Sequence, residues 1–266
     1  MCLPGCRGAV SRALSRRGLL GGAAAAAFAA TPARAQRAFT KVIDLTHTLS
    51  PAFPTFFGVP GIEIERRYTL GKDGANVNWW RVLEHAGTHI DAPIHYAENG
   101  AAVEAIPATQ LVVPLAVVDV TAQAARDADY ALSRGDLAEW EARHGPLPDG
   151  CCVAMHSGWA PRADNAAKYT GKDAAGVFHF PGIHPEAAEW LIKQRRVVGL
   201  AVDTLSLDPG SSNDFRTHAI WLPSGRWGIE NLANLEQVPP NGATLVAGVP
   251  KVEGATGAPA RIFALL

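Results

Sequence analysis

The chain has 266 residues, 48% of them hydrophobic and 18% charged, with four cysteines and a formal charge of −1. This is the composition of a packed globular protein, and no stretch of its body combines enough consecutive apolar residues to span a bilayer. The body has no Lys/Arg block, which disfavours nucleic acid or an anionic membrane as partner and leaves a small molecule as the expected one.

The N-terminal segment differs from the rest. Ser15-Arg16-Arg17-Gly18-Leu19-Leu20 leads into the Gly/Ala-rich run from Gly21 to Ala30 and ends at Ala33-Arg34-Ala35. A basic start, a mildly apolar middle and an Ala-x-Ala exit resemble a twin-arginine export signal. Residues 1–35 are therefore expected to be removed, leaving residues 36–266 as one periplasmic or secreted domain. Removal of five arginines and no acids takes 24 basic residues to 19 against 25 acidic ones, a formal charge of −6. Cys2 and Cys6 leave with the signal. Cys151 and Cys152, just before Val153-Ala154-Met155, are expected to be reduced and buried as small apolar residues at a strand start.

In chain order, the mature region shows short apolar runs at Val42–Leu45, Leu111–Val120, Val153–His156, Val197–Val202 and Thr244–Val249, each bounded by Gly, Pro, Asp or Asn. These spacings predict strands. Two helices are predicted between them. Over Ser133–His144, Leu137 and Trp140 lie three apart and Ser133 with Asp136 forms a capping-box pattern. Over Pro185–Arg195, Ala188, Leu191 and Ile192 share one face. Val197–Val202 is apolar throughout, as in a strand covered on both faces, so the class is α/β, with helices flanking a sheet in a single domain.

The chemistry concentrates in His85-Ala86-Gly87-Thr88-His89-Ile90-Asp91-Ala92-Pro93-Ile94-His95. Nitrogen and oxygen donors of this kind bind Zn²⁺ or Mn²⁺ and leave coordination positions open for water and substrate. A straight strand from His85 to Asp91 would run about 20 Å, too far for three side chains to reach one ion. The chain must bend there, and Gly87 and Pro93 are the residues that permit it.

His-x-Gly-Thr-His-x-Asp-x-Pro-x-His resembles the signature of the metal-dependent cyclase-like hydrolases, a family that contains bacterial kynurenine formamidases and isatin hydrolases. The resemblance runs from Ile43-Asp44-Leu45 to Gly257-Ala258-Pro259-Ala260-Arg261 and includes His179-Phe180-Pro181-Gly182-Ile183, Val202 to Asp208, and Gly228-Ile229-Glu230-Asn231-Leu232. It implies a swivelling β/β/α fold with a mixed sheet and a homodimer, with aromatic residues reaching across the interface. It also implies that His85, His89 and Asp91 bind a metal and that His95 is the catalytic acid/base. In formamidase-like members a distant histidine and a glutamate twelve residues later hold a second ion with the aspartate, a spacing that His218 and Glu230 reproduce. Isatin-hydrolase-like members use one Mn²⁺, and His218 and Glu230 would then orient ligands or substrate. One ion or two, and Zn²⁺ or Mn²⁺, both stay open.

Asp203 ends the run from Val197, where open α/β sheets place their sites, and reads either as support for the ligand loop or as a solvated strand end. Ser212 lies in a loop where isatin-hydrolase relatives place a serine for proton passage, and it reads equally as part of a turn. Phe56, Phe57 and Trp80 are expected to bind an aromatic substrate, with Phe53, Trp79 and Trp159 as further pocket candidates. The formamidases' Trp-Pro-Gly-Asp element is replaced here by Phe56-Phe57-Gly58-Val59. The expected activity is hydrolysis of a C–N bond in an aryl formamide resembling N-formylkynurenine or in a small cyclic amide. Isatin-type lactam or lactone opening is the alternative, and a secreted protein binding metal or an aromatic ligand is the non-enzymatic one.

Overall fold

Alternation of apolar side chains along the strands builds two cores on the two faces of one sheet. The computed structural model describes residues 39–266, and the export-signal segment lies outside the described residues. The strands are β1 (Val42–Asp44), β2 (Ile62–Tyr68), β3 (Val77–Val82), β4 (His89–Asp91), β5 (Val112–Asp119), β6 (Ala131–Leu132) and β7 (Cys152–His156). They continue with β8 (Gly182–Ile183), β9 (Gly199–Val202), β10 (Trp227–Glu230), β11 (Ala243–Gly248), β12 (Gly257–Pro259) and β13 (Arg261–Leu265). The helices are α1 (Leu70–Asp73), α2 (Thr121–Ala124), α3 (Arg134–His144), α4 (Ala166–Thr170), α5 (Pro185–Gln194) and α6 (Arg216–Trp221).

Nine strands form a mixed sheet in the order β1-β13-β11-β5-β7-β9-β10-β4-β12. Its centre, from β5 through β7 and β9 to β10, is parallel. Antiparallel strands flank the centre on both sides. Ala116 and Val118 of β5, Val153 and Met155 of β7, and Leu200 and Val202 of β9 pack with Leu137, Trp140, Ala188 and Leu191 of α3 and α5. Their neighbours Val113, Leu115, Val117, Cys152, Ala154 and Ala201 point the other way, into a core shared with Ile43, Ile90, Ile229 and Ile262. This is the period of two expected of strands buried on both faces.

Both predicted helices form, and Ser133 and Asp136 complete the capping box at the start of α3. Cys151 and Cys152 are free and buried, on opposite sides of the sheet. Burial pushes the Cys151 thiol up to about 12, so neither geometry nor acidity favours disulfide chemistry there. Outside the main sheet, β2 and β3 form an antiparallel arm on which Ile64, Tyr68, Trp79 and Trp80 are at least half exposed. The arm also places Trp80. Trp80 is 69% exposed on it and is not among the residues that line this chain's own cavity, described below.

Candidate metal centre

Three backbone features bring the distant donors together. Gly87 takes φ +62°, in the left-handed region that glycine enters without penalty, and makes the bend the histidine run requires. The chain then enters β4, where His89 and Asp91 share one face. On the neighbouring strand, β10 pairs antiparallel with β4 so that Glu230 stands opposite His89 and Gly228 opposite Asp91. A β-carbon at Gly228 would stand 3.3 Å from Asp91 Oδ2 and 2.8 Å from Leu207, so glycine keeps that carboxylate's space clear. The short turn Pro93–His95 then carries His95 back, with its ring stacked on His85 at 3.9 Å between centroids.

His218 arrives on α6. Asp208 accepts the backbone N–H of Thr217 and His218 and also the Nδ1–H of His218 at 2.6 Å. His218 Nε2 is left facing Glu230 Oε1 at 3.1 Å and Asp91 Oδ2 at 3.6 Å. His89 is arranged alike: Nδ1–H donates to the Gly87 carbonyl at 2.9 Å, and Nε2 lies 3.3 Å from Asp91 Oδ1 and 3.4 Å from Glu230 Oε2. Committing Nδ1 to an outer acceptor fixes the tautomer and presents Nε2 as a donor to a cation. The donor atoms fall into two overlapping groups, His85 with His89 and Asp91, and Asp91 with His218 and Glu230, so Asp91 is common to both.

The electrostatics call for a cation. Burial alone would pull His89 down, but Asp91 and Glu230 outweigh it and raise its pKa to about 9. Burial opposes protonation of His218 too, and Asp208, Asp91 and Glu230 overcome it to push His218 well above its usual range. Asp91 is the counterpart: burial pushes it up, yet the three histidines hold it well below the ordinary carboxylate range. His89 Nε2 and Asp91 Oδ2 are buried without a hydrogen-bond partner among the described residues. Unpaired buried groups of this kind are costly, and a divalent metal ion both satisfies them and replaces the protons. The donor set thus fits a divalent metal.

A consequence concerns the metal-free protein. A histidine raised from 6.5 to about 9 contributes stability that is complete below pH 6.5 and is lost as pH rises through 9. The protein kept in chelator is expected to melt at lower temperature at pH 9.5 than at pH 6.5. Added divalent metal is expected to stabilise it more at the higher pH, where no proton competes. Thermal melts across that range with and without chelator check this, and a metal-induced gain that shrinks with rising pH would count against it.

The donors line a cavity of about 290 Å³ together with Phe56, Phe57, Tyr96, Leu205, Phe215 and His95. Phe215 has φ +47°, a strained conformation for a bulky residue, and its ring packs 5.7 Å from that of Phe56. Burial lowers His95 to about 4, with the neighbouring histidines working against the field of Asp91, so its imidazole is neutral near pH 7.

Of the predicted residues, the structure brings together His85, His89, Asp91, His95, His218 and Glu230, with Phe56 and Phe57 at the wall. Asp203 is fully buried but accepts bonds from Ser157 and Trp159. It therefore shapes the loop after β7, and among the described residues no side-chain bond joins it to the ligand loop. Burial raises its pKa against the Ser157 hydrogen bonds. Ser212 bonds Asp214 and the Phe215 N–H, outside the cavity lining, and so belongs to the turn that presents Phe215. Phe53 and Trp159 pack with Tyr169 and Phe180 in a separate core. The sequence reading missed Asp208, Phe215 and Tyr96. Asp208 carried one legible signal, its place beyond the apolar strand that ends at Val202.

The Cyclase family model, described as "Putative cyclase", matches residues 43–209. Isatin hydrolase of Roseibium aggregatum is 32% identical over 243 residues, covering 85% of this chain and 92% of that protein. Kynurenine formamidase of Bordetella petrii is 30% identical over 195 residues, covering 71% and 81%. A crystal structure of an isatin hydrolase bound to the product analogue thioisatinate superposes with a TM-score of 0.81 at 29% identity, covering 95% of this chain and 99% of that one. Isatin hydrolase A from Ralstonia solanacearum superposes with a TM-score of 0.80 at 34% identity, covering 95% and 97%. The α/β fold with its mixed sheet is the one these hydrolases share, and the chain belongs to the Cyclase family.

Proposed function

We propose that this protein hydrolyses the C–N bond of a small cyclic amide fused to an aromatic ring, isatin or a close analogue. The observation that carries the reading is a cluster of three imidazoles and two carboxylates lining the same cavity as Phe56, Phe57, Phe215 and Leu205. Aromatic walls suit a flat ring, and the donors sit where its carbonyl would enter. The relatives named isatin hydrolase agree with this choice, and replacement of the formamidase Trp-Pro-Gly-Asp element by Phe56 to Val59 places aryl formamides second.

A bound divalent cation supplies a Lewis acid for the carbonyl and lowers the pKa of water. His95 supplies the proton transfers. No hydrogen bond among the described residues engages its ring, and its neutral imidazole accepts a proton from the attacking water. Returned to the amide nitrogen, that proton allows the ring C–N bond to break, so that water's OH ends on the carbonyl carbon and its hydrogen on nitrogen.

Charge balance, rather than donor spacing, favours one ion, since the donors fall into two groups of three that share Asp91 and His85 Nδ1 lies only 2.6 Å from Asp91 Oδ1. Bonds of about 2.1 Å place neighbouring donors about 3.0 to 3.4 Å apart at right or tetrahedral angles, close to the 3.1 to 3.6 Å found between His89 or His218 and the carboxylates. One divalent charge balances Asp91 and Glu230. Each group's nitrogen and oxygen donors suit Mn²⁺ and Zn²⁺ alike.

Ultraviolet-monitored turnover of isatin and N-formylkynurenine by metal-loaded residues 36–266 tests the reading. Faster turnover of isatin, with one metal per chain, is expected. Turnover of N-formylkynurenine alone would overturn the substrate choice, and turnover of neither would point to other amides, to lactones or to a binding role. The exposed apolar arm of β2 and β3 fits a homodimer, and the signal-like segment fits export. Protein isolated from the periplasm is accordingly expected to begin at Gln36 and to scatter light as a dimer. A cytosolic full-length chain or a monomer mass rejects the corresponding part.

A further inference from the structure

We propose that Glu84, Thr256 and Gly257 are positioning residues that decide which nitrogen of His85 faces the cation; the inference rests on the metal-site reading above. Thr256 Oγ1 lies 2.5 Å from Glu84 Oε2 and 2.9 Å from His85 Nε2. A carboxylate only accepts, and a hydroxyl has a single hydrogen to give. That hydrogen goes to Glu84, which also accepts the Thr256 backbone N–H at 3.3 Å. Toward His85 the hydroxyl therefore offers a lone pair, and the His85 hydrogen sits on Nε2. Nδ1, 2.6 Å from Asp91 Oδ1, is the nitrogen presented to the cation.

This orientation is the reverse of the other two histidines, which commit Nδ1 outward and present Nε2. Gly257 explains how the ring is seated that way. A β-carbon at 257 would stand 2.4 Å from His85 Cε1, 2.8 Å from His85 Nδ1 and 2.7 Å from the Ile90 carbonyl oxygen. The imidazole lies directly on this bare backbone, which β12 holds opposite Asp91 of β4. Thr256 and Gly257 thus hold the ring from adjacent positions, one at Nε2 and one against Cε1 and Nδ1. Glu84, next in sequence to His85, sets the direction of the hydroxyl.

The device is tested by binding of Mn²⁺ and Co²⁺ to the metal-stripped protein, read by titration calorimetry and by the visible bands of the Co²⁺ form. Thr256→Val removes the acceptor. Glu84→Gln lets an amide donate to Thr256, freeing the hydroxyl to donate to Nε2 and favouring the wrong tautomer. Each is expected to bind both metals roughly 10- to 100-fold more weakly, as loss of an outer partner does. Displaced Co²⁺ bands and an unchanged metal-free melting temperature should accompany the loss. Thr256→Ser keeps the hydroxyl and should restore wild-type behaviour. Wild-type affinity and bands in Thr256→Val would overturn the proposal, as would an equal loss in Thr256→Ser, which would assign the effect to packing. A wild-type protein that binds neither metal would instead remove the site reading beneath it.

Discussion

Asp91→Asn is expected to release the metal and reduce turnover to background. Asp91 is the one residue common to both donor groups, with Oδ1 facing His85 and His89 and Oδ2 facing His218. It is also buried, so water does not replace the lost charge. Asparagine keeps the shape but removes the negative charge and turns one oxygen into an N–H₂ donor, which can occupy the histidine lone pairs that would otherwise hold the cation. The loss should exceed the roughly 10- to 100-fold that removal of an outer partner costs. Competition with a chelating dye, followed by metal content after dialysis, measures it. Retention of stoichiometric metal by the variant would show that Asp91 is not a ligand.

His95→Phe is expected to do the opposite, keeping the metal and losing turnover. His95 stacks on His85 and belongs to neither donor group. Phenylalanine preserves the stacked ring, so His85 stays supported, while both nitrogens disappear. Removing a positioned proton carrier commonly costs about 10² to 10⁴ in rate, and the expected fall is in kcat with metal affinity near wild type. Equal activity would remove His95 from the chemistry. Loss of metal together with activity would make it a structural or ligating residue instead.

The contrast between these variants follows from a division that was partly legible in the sequence. The His85–His95 run declared its donors because close spacing and a glycine bend are local properties. His218 and Glu230 could be named only through family resemblance, since their approach depends on the β4–β10 register and on Asp208 anchoring α6. Long apolar strands such as β5 and β7 were readable from their bounded runs. The three-residue strands β4 and β12, rich in small and polar residues, were not, because their pairing is decided by partners far away in the chain.

Neighbourhood in sequence was a poor guide to which aromatics line this chain's own cavity. Trp80 lies five residues before His85, yet the β2–β3 arm holds it at the surface, whereas Phe215 reaches the cavity from far along the chain. Thr256 shows the same limit: nothing in its local pattern announces that its hydroxyl bonds His85. Asp203 illustrates the reverse error, for a strand-end carboxylate near the site was spent on fixing the Ser157–Trp159 loop. Burial and four hydrogen-bond contacts explain its place there without any part in the chemistry.

The most direct test of the account is anomalous scattering from a crystal of residues 36–266 grown with Mn²⁺. One strong peak is expected per chain, bonded to Asp91 and to further donors among His85, His89, His218 and Glu230, with His95 unbound beside it. A peak outside this cluster, or a soaked crystal with no peak at all, would contradict the account.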